Sequence, residues 1–199
     1  MIKTLVITLG VTGLLLGQTF EYVGSRKCGM CHKKEASGAQ LKVWEDSKHS
    51  KAFETLKSEE AIAIAKEKGL ANDPWEAPEC IKCHTTGFGK GGYEVKEEAF
   101  WNPAADDRDG KKAVKRMTGL QAVGCEMCHG AGSEYKSRKV MKAIYNDETD
   151  GAAVGLLAVT EETCLGCHND ESPSFKEFNF EEALAKIAHP FPEGYTPKK

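Results

Sequence analysis

The chain has 199 residues, of which 40% are hydrophobic, 8% aromatic and 29% charged, with a net charge of -3. That is too apolar for a disordered chain and lacks the basic excess of a nucleic-acid binder. The unusual count is cysteine: eight residues in four pairs, each pair followed at once by a histidine, so that four of the six histidines sit in these motifs.

Read from the start, Lys3 is a short positive region and Leu5 to Leu16 is an uncharged run of about twelve residues. This pattern predicts a secretory signal over residues 1–19, since a membrane-spanning helix needs ~20 apolar residues. Residues 20–199 then form a single domain, exported to the periplasm or beyond, with no membrane span after signal removal.

The motifs are Cys28-Gly29-Met30-Cys31-His32, Cys80-Ile81-Lys82-Cys83-His84, Cys125-Glu126-Met127-Cys128-His129 and Cys164-Leu165-Gly166-Cys167-His168. Between them, Leu41 to Lys57 shows a sparse helical apolar face of Val43, Trp44, Phe53 and Leu56. Ser58 caps a second helix, Glu59 to Lys68, which stops at Gly69. Gly87 to Gly92 reads as a turn and Asn102 to Lys112 as an exposed loop. Lys111, Lys112, Lys115 and Arg116 form a basic stretch read as part of that solvated loop. Further helices are expected over Ser133 to Tyr145 and Phe180 to Ala188. No alternation is long enough to found a sheet, so the fold class expected is mainly α.

Cys-x-x-Cys-His is the attachment signature of c-type haem. Each sulfur adds to one vinyl group, and positions i, i+3 and i+4 share a helix face, so the histidine is aimed at the iron from the side of the thioethers. A zinc ribbon places two cysteine pairs on one metal and needs no histidine after each. Disulfides alone leave the four histidines unexplained. The expectation is four covalent c-type haems, held by Cys28, Cys31, Cys80, Cys83, Cys125, Cys128, Cys164 and Cys167, with His32, His84, His129 and His168 as proximal ligands. Four stacked haems would supply much of the core of so polar a chain.

Six histidines cannot make four bis-histidine haems. His49 and His189 remain as distal candidates, so at most two haems are bis-histidine. Met117 is a further distal candidate; Met141 and Tyr135 are weaker ones. An iron with an open position is the alternative for at least one haem, and an open position separates a reactive haem from one that only relays electrons.

Several segments resemble the tetrahaem cytochrome c-554 family. They are Tyr22 to Ser25, Trp44 through Ala52, Cys83 to Gly87, Val123 to Glu126, Cys128 to Ser133, Cys167 to Pro173 and His189-Pro190. The resemblance implies a mostly helical fold with stacked haem pairs and electron transfer between redox partners outside the cytoplasm. The type member's partner is a hydroxylamine-oxidising enzyme. That member has three bis-histidine haems and a five-coordinate one at the second motif, which by analogy gives His84 the open iron. His49 and His189 match the family's distal histidines for the third and fourth haems, while the distal histidine of the first haem has no counterpart here. The main functional expectation is an electron relay with redox-protein partners and no nucleic acid. The alternatives are an enzyme acting on a small nitrogen species such as nitric oxide at an open haem, and a filament subunit joined haem to haem.

Overall fold

The computed structural model describes residues 19–191 and Gly194. The segment read as an export signal lies outside the described residues, apart from Thr19. Eleven short helices follow in order: α1 (Ser25–His32), α2 (Gln40–Glu45), α3 (Ala52–Thr55), α4 (Glu59–Glu67), α5 (Pro78–His84), α6 (Glu98–Trp101), α7 (Arg108–Thr118), α8 (Cys125–His129), α9 (Arg138–Tyr145), α10 (Glu161–Leu165) and α11 (Phe180–Ile187). No strand occurs among the described residues, so the fold is mainly α as expected. No described helix is long and apolar enough to cross a membrane.

Local chemistry explains most helix starts. The Ser58 hydroxyl accepts from the Ala61 N–H at 3.2 Å and opens α4, with Glu59 and Glu60 in the first turn. Asn179 accepts from the Glu182 N–H at 3.1 Å and opens α11. Each cap satisfies an orphan donor of the first turn. Pro78 begins α5, where its missing N–H costs nothing.

Besides the helix expected over 133–145, which starts only at Arg138 because the Ser137 hydroxyl caps the Val140 N–H at 3.2 Å, two expected elements come out differently. The single helix over 41–57 is broken into α2, a 3₁₀ turn at His49–Lys51, and α3. Serine hydroxyls take the carbonyls there: Ser47 donates to Trp44 O at 2.7 Å, and Ser50 donates to Glu45 O and Ser47 O, both at 2.9 Å. Such back-bonding competes with the helical ladder. The second difference is the loop expected over 102–112. Its C-terminal part is α7, because the Asp107 carboxylate caps the Gly110 N–H at 2.8 Å. The basic stretch therefore rides on a helix. Its last member is tied inward: Arg116 Nε donates to Tyr22 O at 2.7 Å and its Nη2 to Gly91 O at 2.8 Å.

The interior has two parts. Phe53, Leu56, Ile81, Tyr93, Met117 and Leu120 form an apolar cluster that joins α3, α5 and α7. The other part is polar and gathers the approaches to the motifs. Glu126, 1% exposed inside the third motif, accepts from the N–H groups of Val23 (2.8 Å), Gly24 (2.7 Å) and Gly132 (2.7 Å). A buried carboxylate is tolerable only when so satisfied. It binds the chain entering the first motif to the chain leaving the third. Beside it, Gly124 is wedged between Ser25 and Thr86: a Cβ there would lie 2.4 Å from Ser25 Oγ and 2.9 Å from Thr86 Oγ1.

Glu126→Ala leaves two buried N–H groups, of Gly24 and Gly132, and the part-buried one of Val23 without an acceptor, at ~1–3 kcal/mol for each buried group. Urea unfolding followed by far-ultraviolet circular dichroism is expected to show a loss of about 3 kcal/mol or more. A loss below 1 kcal/mol would mean that the carboxylate is not what joins these segments.

Candidate haem-binding site

The first three motifs occupy helical turns: α1 ends at His32, α5 at His84 and α8 at His129. The fourth begins in α10 and continues as a turn, with the His168 N–H donating to Cys164 O at 2.9 Å. In each, the two cysteines and the histidine lie at helical i, i+3 and i+4 spacing, which brings them to one side.

The motifs meet through their sulfurs. Cys28 lies beside Cys125, and Cys83 beside Cys167, each close enough to shift the other's pKa. Cys128 lies near enough to both Cys164 and Cys167 to interact electrostatically with them. By their sulfurs the first motif is thus beside the third, the third beside the fourth, and the fourth beside the second, while the exit of the second also touches the entry to the third, where Thr86 Oγ1 accepts from the Gly124 N–H at 2.9 Å. Each outer junction has a second tie from within a motif. Glu126 holds the segment leading into the first motif to the third. Lys82, in the second motif, pairs with Glu171, three residues past His168.

The histidines fall into two kinds. The rings of His49 and His168 have centroids 6.1 Å apart, and those of His129 and His189 lie 6.0 Å apart. Two imidazoles bound to one metal at nitrogen–metal distances of about 2.0 Å place their centroids about 6 Å apart. The pairs therefore match the spacing of two axial ligands across an iron. Burial, then His168, pushes His49 below its ordinary pKa; burial, then His189 and His32, does the same for His129; burial chiefly lowers His189. The neutral ring so favoured is the form that binds metal.

His49 reaches its partner because its backbone is strapped to the approach of the third motif. The Val123 N–H donates to His49 O at 3.2 Å, and Trp44 Nε1 donates to Val123 O at 2.8 Å. The His168 ring is stacked on Phe178 at 4.8 Å.

His32 and His84 have no histidine opposite, since all six are now placed. Each instead has its Nδ1 engaged. His84 Nδ1 donates to Ala52 O at 2.5 Å, and His32 Nδ1 donates to Gln40 Oε1 at 3.3 Å. With the proton on Nδ1, Nε2 keeps a lone pair for a metal, an orienting arrangement common among histidine ligands. Gln40 also donates to Pro190 O at 3.1 Å, so one amide links His32 to the segment carrying His189. Sequence reasoning missed Gln40 and Glu126 in these roles. The Glu126 signal was a carboxylate within a haem motif; Gln40 carried none.

Met117 lies in the apolar cluster, 3% exposed, and its sulfur accepts from the Glu94 N–H at 3.3 Å. The Tyr135 hydroxyl donates to Gly130 O at 2.7 Å, and burial raises its pKa, so it stays a neutral donor that anchors the exit of the third motif. Met141 is partly buried on α9.

The profile of the family described as cytochrome c554 and c-prime matches residues 27–130, which hold the first three motifs. The chain is also 33% identical over 168 residues to cytochrome c-554 of Nitrosomonas europaea. The chain belongs to the cytochrome c554 family. The alignment covers 79% of this chain and 61% of that relative, so the chain spans under two thirds of the relative's length. No solved structure matches the chain. Family membership brings covalently bound c-type haem. The residues present fit that group: cysteines and histidine share a face in each motif, and two imidazole pairs have the spacing of axial ligands.

Two outcomes test this geometry. His49, His129 and His189 have lowered pKa values in the folded chain, while the unfolded chain titrates near 6.5. As pH falls through 6.5 the unfolded state takes up protons first, so stability is held above that pH and lost below it. Thermal melts between pH 7 and pH 5 are expected to show a falling midpoint; a flat profile would mean that these rings are not held neutral. Gln40→Ala removes its links to His32 and Pro190 together with a third hydrogen bond, to Ser37 O, and is expected to cost about 1 kcal/mol per lost hydrogen bond in urea unfolding, with no loss of helix content.

Proposed function

We propose that this chain is an exported tetrahaem c-type cytochrome, a single domain that relays electrons between redox proteins outside the cytoplasm. The observation that carries the reading is the paired imidazoles joined to a linear order of motifs. His168 with His49, and His129 with His189, would hold the fourth and third haems on both axial sides. His32 and His84 would hold the first and second haems from one side. In the order of sulfur contacts (first, third, fourth, second) the two bis-histidine positions would be the inner ones, with the exit of the second motif also touching the third. Haem supplies one-electron chemistry; the protein sets spacing, ligation and burial. The inner irons, closed on both sides, suit passage of electrons rather than reaction with a substrate.

A second reading rests on the ends. His84 is anchored by Ala52 O and has no histidine facing it, which supports a position open to a small ligand such as nitric oxide. An enzyme acting on a small nitrogen species would use that position. We favour the relay because no acid or base has been placed beside it to serve a multi-proton reaction. A filament of fully bis-histidine haems is disfavoured by the histidine count.

Intact mass of the purified holoprotein is expected to show four haems. Its oxidised paramagnetic resonance spectrum is expected to hold at least two low-spin haems. His49→Ala and His189→Ala should each convert one of these to high spin or to a new ligand set. A low-spin count unmoved by either substitution would sink the ligand assignment; fewer than four haems would sink the relay.

A further inference from the structure

Of the residues enclosed by the four cysteine pairs, only Lys82 and Glu126 are charged. Lys82 is offset by its ion pair with Glu171. Glu126 has no such partner among the described residues. Its Oε1 accepts from the Val23 N–H at 2.8 Å and the Gly132 N–H at 2.7 Å; its Oε2 accepts from Gly24 at 2.7 Å and from Val23 at 3.1 Å. All of these donors are neutral. Arg116, whose guanidinium reaches the same segment, is bound to Tyr22 O and Gly91 O instead. Neither oxygen of Glu126 meets an acceptor to which a carboxyl proton could be donated, so the side chain is an anion. It is 1% exposed, and haem bound at the flanking cysteines only adds atoms around it.

The charge reaches beyond its own motif. It raises the Tyr22 hydroxyl after burial, and it adds to burial and the Cys28 charge in raising Tyr135. Cys125 and burial, and then Glu126, push up the Cys28 thiol. Cys28 belongs to the first motif and Cys125 to the third, so both attachment sites lie within the field of one buried carboxylate. Such a field is poorly screened by water or salt.

We infer that Glu126 is a fixed anion that sets the reduction potentials of the first and third haems, holding both below the values they would have beside a neutral side chain. The inference rests on the reading of four haems at these motifs. A ferric haem carries one more positive charge than a ferrous one, so a nearby anion stabilises the oxidised state. The field disfavours an electron on the first and third haems and leaves the second and fourth, which lack an enclosed unpaired charge, as the favoured acceptors. A merely structural role for Glu126 predicts the opposite sign on its removal. Loosened packing admits water, hydration favours the more highly charged ferric state, and the potential falls.

The test is a redox titration of the four-haem holoprotein followed by paramagnetic resonance. The signal altered by H189A marks the third haem and the signal altered by H49A marks the fourth. E126Q is expected to raise the midpoint potential of the third haem, with the fourth moving less. E126D keeps the charge while shortening its reach, and is expected to leave the third potential at or below that of the unaltered protein. S133K puts a cation beside Gly132 and removes one exposed hydrogen bond, from the Glu21 N–H, while leaving the contacts of Glu126 intact. At low ionic strength it is expected to raise the third potential as well, an effect that added salt cancels. Should E126Q not load four haems, S133K decides. A fall or no change of the third potential in E126Q, an equal rise at the fourth, a rise in E126D equal to that in E126Q, or an unmoved potential in S133K would overturn the inference. Any of these leaves the relay standing, whereas fewer than four haems in the unaltered protein strikes the relay itself.

Discussion

The buried carboxylate of Glu126 is the constraint on which the arrangement of motifs depends. It lies between the two cysteines of the third motif and takes backbone N–H groups from the residues entering the first motif and from Gly132 beyond the third. Burying a carboxylate is unfavourable unless its lone pairs are met, so the segments supplying the donors are held together by the cost of leaving it unmet. Once α1 and α8 are joined this way, Cys28 faces Cys125, and His32 stands close enough to influence His129 and His189. The packing of Gly124 against Ser25 and Thr86 brings the exit of the second motif to the same junction.

From this junction follows a division of labour among the histidines. The chain around Val123 is fastened to His49 and Trp44, which carries the His49 ring to His168 at the fourth motif rather than to the motif nearest in sequence. The link from Gln40 to Pro190 fixes the segment that presents His189 to His129. Both remaining histidines thereby face the third and fourth motifs. The first and second motifs keep histidines that are oriented through Nδ1 and face no other histidine. In the proposed relay, closed positions lie inside and the more accessible ones lie at the ends.

Charge extends the same asymmetry to the surface. The residues flanking the first motif are basic, while the approach to the second is acidic. A chain with a small net charge can still carry a large separation of charge, and the separation, not the net value, guides encounter.

Much was determined by the sequence alone. The residue types and spacing of the four motifs, the absence of strand patterning and the number of histidines were legible because they depend only on local geometry and counting. The Ser58 cap of α4 was legible for the same reason, whereas the Asn179 cap of α11 emerged only in the structure. Tertiary structure decided the rest. Leu41 to Lys57 broke because serine hydroxyls took helix carbonyls while Trp44 was drawn to Val123. The stretch from Arg108 became a helix because one aspartate cap outweighed a composition rich in turn residues. Which distal histidine faces which motif could not be read from spacing, since His49 lies 119 positions from His168 and only long-range hydrogen bonds bring the two rings together. The place of Met117 was likewise decided by the tertiary structure, which sets it in the apolar cluster with its sulfur accepting from the Glu94 N–H.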